Sequence, residues 1–534
     1  MVIDLSSKKK NSNKKIKNNK KKINFSESDR LKFIKKFSII FIIWICIFAI
    51  CLVRKTFQND TFYTIEIGKL ILNNGIDMMD HFSFHSNLAY TYPHWLYDVF
   101  IYLIYKVGGL TGIYISSMIL LMILLVIVFF TNKKITKSVI AAGFATFICA
   151  LAISGFATAR AQLASFILFV LEIYFIESFL NNKKKRYVFG LLLISLILCN
   201  IHVAVWPFYF ILYLPYIAEY IISFICSKIK KDYKIINFMK KKIIFEKNKN
   251  IKYLFIIMIF SLITGLLTPI GDTPYTYLIK TMMGNSQDYI QEHQMITWIN
   301  SPFIIIIACE TIFLAILGKI KLRDLFMICG LVFMSIISIR HLSLLALIGT
   351  ICFARVFKIF LDIYKFDEEL IFMRLFKKKV IAYGCFIFGI LLTGGIFYYQ
   401  NTKDYVDKRI YPVDAVKYIK ENINIDEMRI FNDYEIGSYL LHNDIPVFID
   451  SRADLYTKQF SGFEYDIFDD YVNISSNYRI KFDFYDITHV LLNKKKNIFF
   501  DVITKDKNYE VIYEDSCFIL FARKENPNIN ITYN

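Results

Sequence analysis

Long apolar runs separated by short charged blocks dominate this chain. A first run covers about 37–53, and further runs lie near 112–131, 138–156, 160–180, 187–200, 204–227, 253–269, 303–318, 325–339, 342–361 and 380–399. Most approach the roughly twenty residues that an α-helix needs to cross a bilayer. The pattern predicts an α-helical polytopic membrane protein of about eleven spans. After residue 400 the pattern changes to short alternating segments. Pro412 to Lys420 reads as a helix and Arg429-Ile430-Phe431 as a strand; Ile436 to Leu441 reads as a helix and Pro446 to Asp450 as a strand. A strand at His489 to Leu492 and a hairpin of Tyr509–Tyr513 with Phe518–Ala522 complete a small α/β domain over 401–534.

The charged blocks predict the orientation. Lys133-Lys134, Lys183 to Arg186, Lys228 to Lys252, Lys319 to Arg323 and Lys358 to Lys379 recur at every second loop. The positive-inside rule then puts the N-terminus and these loops in the cytoplasm and the C-terminal domain outside. Residues 1–36 form a basic cytoplasmic arm, 37–400 the membrane domain, and 54–111 a first outer loop. The short apolar stretch at 94–107 reads as an interfacial helix within that loop. The first apolar run has no cleavage site after it and reads as a retained helix. Together these features place the chain in a bacterial cytoplasmic membrane as a multi-pass protein.

Composition supports this class. Of 534 residues, 56% are hydrophobic and only 20% charged, more apolar surface than a soluble fold could bury. The net charge of +19 is spread over topology signals and forms no nucleic-acid-binding face. Nine of the ten cysteines fall in apolar spans and only Cys517 lies beyond them, so no disulfide framework or zinc knuckle arises.

The candidate chemistry sits where spans meet the outer surface. The first loop holds Asn59-Asp60-Thr61-Phe62-Tyr63, then Asp77 to His85, then Tyr92-Pro93-His94-Trp95-Leu96-Tyr97-Asp98. Arg160 with Gln162, Asn200 with His202, Asp272, Glu292, His293, Trp298, and Arg340 with His341 lie at other outer span ends. Ionisable groups at a membrane boundary are costly and point to function. A carboxylate there suits a general base, and Arg or His suits a phosphate leaving group. Trp95 and Trp298 suit sugar stacking or an interfacial aromatic belt. Taken singly, Asn200, Gln162 and the histidines fit helix packing equally well. In the C-terminal domain, Asn432 to Glu435 and Asp450 to Asp454 follow strands, where α/β folds place ligands; ion pairing by Arg452 is the structural alternative.

These residues resemble the GT-C superfamily of polytopic glycosyltransferases, which includes the dolichyl-phosphate-mannose protein mannosyltransferases and the lipid A aminoarabinose transferases. The likeness is carried by Asn59-Asp60-Thr61-Phe62-Tyr63, by Pro93-His94-Trp95-Leu96-Tyr97-Asp98, and by the Gly108-Gly109 turn. Ala159-Arg160-Ala161-Gln162, Cys199-Asn200-Ile201-His202 and Ile339-Arg340-His341 are similar to an uncharacterised bacterial branch with a C-terminal soluble domain. The resemblance implies a catalytic base at Asp60, with Asp80 and Asp98 as acidic reserves. It implies donor-phosphate contacts among His94, Arg160, His202, Arg340 and His341. Where the family often has Asp-Glu, this chain has Asp60-Thr61; its Lys-Pro-Pro motif stands here as Tyr92-Pro93-His94. The implied partners are a polyprenyl-phosphate-linked sugar donor, membrane lipids and a glycan, lipid or protein acceptor. No cofactor is required by the motifs, and a divalent metal is left open. The alternatives are a transporter or flippase for a lipid-linked or anionic solute, and a non-catalytic envelope protein on the same scaffold.

Overall fold

A computed structural model describes residues 26–228, 241–284, 302–495 and 499–524. Its helices are α1 (Glu27–Leu52), α2 (Asn59–Asn74), α3 (Trp95–Thr136), α4 (Val139–Phe156), α5 (Ala161–Asn182), α6 (Lys185–Ile201) and α7 (Val203–Lys228). Then come α8 (Ile251–Leu266), α9 (Thr273–Met283), α10 (Pro302–Leu317), α11 (Leu322–Ile337), α12 (Ile339–Ile363), α13 (Glu368–Lys377) and α14 (Lys379–Asn401). Among the described residues, seven helices are long and apolar enough to cross a membrane: α1, α3, α4, α5, α7, α12 and α14. The remaining expected spans are the shorter helices α6, α8, α10 and α11, of at most 17 residues.

Large apolar side chains of α1, α3, α5, α6, α7 and α12, among them Phe48, Leu124, Phe166, Leu198 and Leu347, form one buried core. The stretch read from the sequence as an interfacial helix forms the first part of α3. It ends at Gly109, whose φ of 58° and ψ of −153° break the helix before its long apolar run. A backbone of that shape suits glycine, so the Gly108-Gly109 pair acts as the hinge.

The C-terminal region contains α15 (Val413–Asn422) and α16 (Tyr434–His442), with strands β1 (Ile430–Asn432), β2 (His489–Asn493), β3 (Tyr509–Glu514) and β4 (Phe518–Arg523). The sheet order is β1-β2-β4-β3; β1 runs parallel to β2 and the other pairs are antiparallel. The strand expected over Pro446 to Asp450 does not form as one. Val447 makes only isolated bridges, to Ile430 on one side and to Ser83 of the first loop on the other. The first loop therefore continues the edge of the C-terminal sheet.

The two regions also share a hydrophobic core, which includes Phe62, Ile65, Leu88 and Tyr92 from the first loop and Phe431, Tyr439, Leu440 and Phe448 from the C-terminal region. Two close approaches depend on glycine. A Cβ at Gly68 would stand 2.1 Å from the carbonyl oxygen of Asp98, and one at Gly437 would stand 2.0 Å from that of Ile449.

Charge is not confined to this end of the bundle. At the opposite, lysine-rich end, Arg355 pairs with Asp324 at 3.0 Å and with Glu177 at 2.5 Å, while Arg323 reaches Glu246 at 2.7 Å and Glu219 at 3.5 Å. Halfway along α5, Glu172 is fully buried and neither carboxyl oxygen has a hydrogen-bond partner among the described residues.

Candidate active site

The site is built where α2 begins. Asp60 lies in its first turn, where a carboxylate is favoured by the positive end of the helix. Arg160 is the extended residue that caps α5. The two side chains form an ion pair, with 19% of Asp60 and 29% of Arg160 still exposed, so the pair is open to a ligand. Backbone and hydroxyl contacts hold the two elements together. Arg54 N–H donates to Ala157 O at 3.0 Å, Thr61 Oγ1 to Ala159 O at 3.2 Å, and Thr158 Oγ1 to Gln58 Oε1 at 3.3 Å.

A second layer stands behind this pair. His94 Nδ1 faces Asp98 Oδ1 at 2.6 Å, and its Nε2 faces the hydroxyl of Tyr63 at 2.9 Å. A neutral imidazole satisfies both contacts by donating from Nδ1 to Asp98 and accepting at Nε2 from Tyr63. Both ring nitrogens of His94 are therefore engaged within the protein. Tyr63 is one helical turn from Asp60 and was not singled out from the sequence; that one-turn spacing was its available signal.

His202 lies beside this chain, its ring centroid 6.2 Å from that of His94, and its Nδ1 meets Ser165 Oγ at 2.9 Å. Val203 N–H donates to Pro93 O at 2.8 Å and fixes this approach. Burial holds the His202 imidazole well below the usual histidine range, and the charges of Arg340 and Arg160 act in the same direction. Arg340 is half-buried in the turn that opens α12. His341 faces Met334 O at 3.0 Å and packs on Phe208. Gln162 donates to Ser343 Oγ at 3.0 Å, tying the start of α5 to that of α12. Trp95 Nε1 donates to Asn200 Oδ1 at 3.1 Å.

Asp60 thus meets Arg160, and His94, tied to the same turn of α2 through Tyr63, lies beside His202, while Arg340 acts on His202 only through its charge. Asp98 is the buried support of His94. Asp80 lies elsewhere, in a buried cluster with Arg452: Arg452 Nη1 reaches Asp80 Oδ1 at 2.6 Å and its Nη2 reaches Asp450 Oδ2 at 2.7 Å. Burial pushes the Asp80 carboxyl up, but Arg452 and the Ser83 hydrogen bonds outweigh it and leave it below its ordinary value. Arg452 therefore clamps the first loop to the C-terminal region, as does the 2.8 Å contact of His442 with Glu66. Asn59 Nδ2 donates to Tyr434 O at 3.0 Å, bringing the Asn432 to Glu435 segment next to Asp60. Trp298, Glu292 and His293 lie outside the described residues. Among the described residues no group of three or more His, Cys, Asp or Glu is arranged to hold a metal ion.

No family model and no curated protein matches the sequence. Solved structures do match in fold. One is an oligosaccharyltransferase from Archaeoglobus fulgidus tethered with an acceptor peptide, at 11% identity and a TM-score of 0.55 over 92% of this chain and 74% of that one. Another is ArnT from Cupriavidus metallidurans bound to undecaprenyl phosphate, at 8% identity and a TM-score of 0.51 over 93% of this chain and 98% of that one. This multi-pass helical membrane protein, with its small C-terminal sheet region, has the fold of the GT-C glycosyltransferases.

Proposed function

We propose that the protein transfers a sugar from a polyprenyl-phosphate-linked donor to an acceptor on the outer face of the cytoplasmic membrane. The observation that carries this reading is the partly exposed Asp60–Arg160 pair, with the His94–His202 contact behind it. A carboxylate next to a group of cations supplies the two functions that such a transfer needs. The donor phosphate engages Arg160 and Arg340, and Asp60 turns to the acceptor. The acceptor oxygen attacks the anomeric carbon, Asp60 takes its proton, and the carbon–oxygen bond to phosphate breaks. The electron pair leaves with polyprenyl phosphate. In this reading His94, with both ring nitrogens held by Asp98 and Tyr63, supports the site from within rather than contacting the phosphate. The likeness to a structure of ArnT bound to undecaprenyl phosphate supports the donor class. The test is mass spectrometry of surface glycans and glycolipids from a deletion strain complemented with wild type or Asp60→Asn. A product absent from the deletion strain and restored only by wild type supports the proposal; restoration by Asp60→Asn at equal protein level sinks the role of Asp60.

A second reading, movement of a lipid-linked solute, is favoured by Glu172 alone, since transporters place ionisable residues at mid-membrane. Solute movement in proteoliposomes without covalent transfer, abolished by Glu172→Gln, would establish it instead.

A further inference from the structure

The loop after α8 contains α9, an eleven-residue helix whose two faces are used in an unusual way. Thr273, Pro274 and Tyr277 are buried on the face that docks against the C-terminal region. There Tyr277 bonds Asp454 and packs on Phe460 at 5.2 Å, and Gln459 Nε2 donates to Met283 O at 3.1 Å. The opposite face carries Tyr275, Leu278, Ile279, Met282 and Met283. This is an i, i+3, i+4, i+7, i+8 stripe with Ile279 59%, Met282 70% and Met283 68% exposed. The free face is therefore more apolar than the docked one, an arrangement that water would oppose.

The neighbouring structure indicates what covers it. The stripe continues the exposed apolar surface at the end of α8, where Leu266 is 69% and Leu267 62% exposed. Tyr275 joins the two surfaces: its hydroxyl donates to Leu262 O at 2.6 Å and its ring meets Trp206 edge-on at 5.6 Å. A Cβ at Gly265 would stand 2.7 Å from the Tyr275 hydroxyl and 2.8 Å from Trp206, so glycine permits this seating. Trp and Tyr gathered at the end of an apolar helix mark a membrane–water boundary.

We infer that α9 lies in the membrane interface, with Ile279, Met282 and Met283 in phospholipid acyl chains and Tyr277 holding the C-terminal region down onto the bilayer. A helix of this kind sits about 5–10 Å into the boundary between headgroups and chains. The inference stands whether or not the protein transfers sugars.

The test uses the full chain in nanodiscs of phosphatidylglycerol and phosphatidylethanolamine. A diazirine amino acid is placed at Ile279, at Met282 or, as a control, at the exposed Lys420 of α15, and unfolding temperatures confirm that each variant folds. After irradiation, peptide mass spectrometry is expected to find phospholipid adducts at residues 279 and 282 several-fold above residue 420. Adduct yields equal to the control, or adducts only to a second copy of the chain, would overturn the assignment.

Discussion

Asp60 and Arg160, one hundred residues apart in sequence, face each other because the start of α2 is bonded to the segment that caps α5. The acid and the cation arrive as a pair held by backbone. Neither depends on the lipid environment for its partner, and both keep some exposure. Replacing Asp60 with Asn keeps the shape and removes the proton acceptor. Product formation should fall by roughly 10²–10⁴-fold, the usual contribution of a general base. Arg160→Gln should weaken binding of undecaprenyl phosphate to the purified protein, while Asp60→Asn should leave that binding intact or tighten it.

Arg452 is buried between two carboxylates, Asp80 from the first loop and Asp450 from its own. Arg452→Met would strand both charges away from water. Breaking such a buried pair costs about 3–5 kcal/mol. Thermal unfolding in nanodiscs should show the loss, and limited proteolysis should now cut the first loop. An Arg452→Met protein with unchanged unfolding would disprove the clamp.

His85 gives the protein a specific acid sensitivity. It is buried against Phe448, with Nε2 2.8 Å from the Phe448 carbonyl oxygen, and burial lowers its pKa to about 4. An unfolded chain takes up this proton near 6.5 and the folded one resists it, so stability falls as pH drops from about 6.5 to 4. The expected loss is about 3 kcal/mol, complete below pH 4. His85→Gln should flatten that part of the profile. Asp80 and Glu66, held below their ordinary values of 3.8 and 4.5, add their own loss only at lower pH.

The chain from Asp98 through His94 to Tyr63 predicts a spectroscopic signature. In protein labelled with ¹⁵N-histidine, the His94 signal should show a protonated Nδ1, and Asp98→Asn should shift it. His94→Ala leaves the buried Tyr63 hydroxyl without its acceptor at a cost of about 1–3 kcal/mol. His94→Gln, whose amide oxygen can accept from Tyr63, should recover part of that loss; equal unfolding temperatures for the two variants would refute the contact.

Gly68 tests how closely α2 must lie on α3. In Gly68→Ala the new methyl meets the Asp98 carbonyl, a backbone atom that cannot rotate away. Overpacking of this kind costs about 1–3 kcal/mol. The two helices should separate enough to break the Tyr63–His94 contact, visible as a change in the same histidine signal.

Much of the architecture is legible in the chain because bilayer insertion depends on local composition. Each expected apolar run corresponds to a helix, and seven of these are, among the described residues, long and apolar enough to cross a membrane. Gly109 announced the break in α3, and the hairpin near Glu514 followed from alternation and turn residues. Pro446 to Asp450 has the composition of a strand but forms only single bridges, because its neighbours are Ile430 and Ser83, segments that no local pattern could supply. Helix α9 was missed because its apolar stripe is short and lies among polar residues.

The site divides in the same way. Residue type and position at span ends determined that Asp60, Arg160, His202 and Arg340 were candidates, because charge near a membrane is locally costly. Only the tertiary structure decided that Asp60 meets Arg160 and that Asp80 serves Arg452. It also decided that His94 is held between Asp98 and Tyr63, because a pairing depends on distance in space and these partners are brought together by contacts remote in sequence.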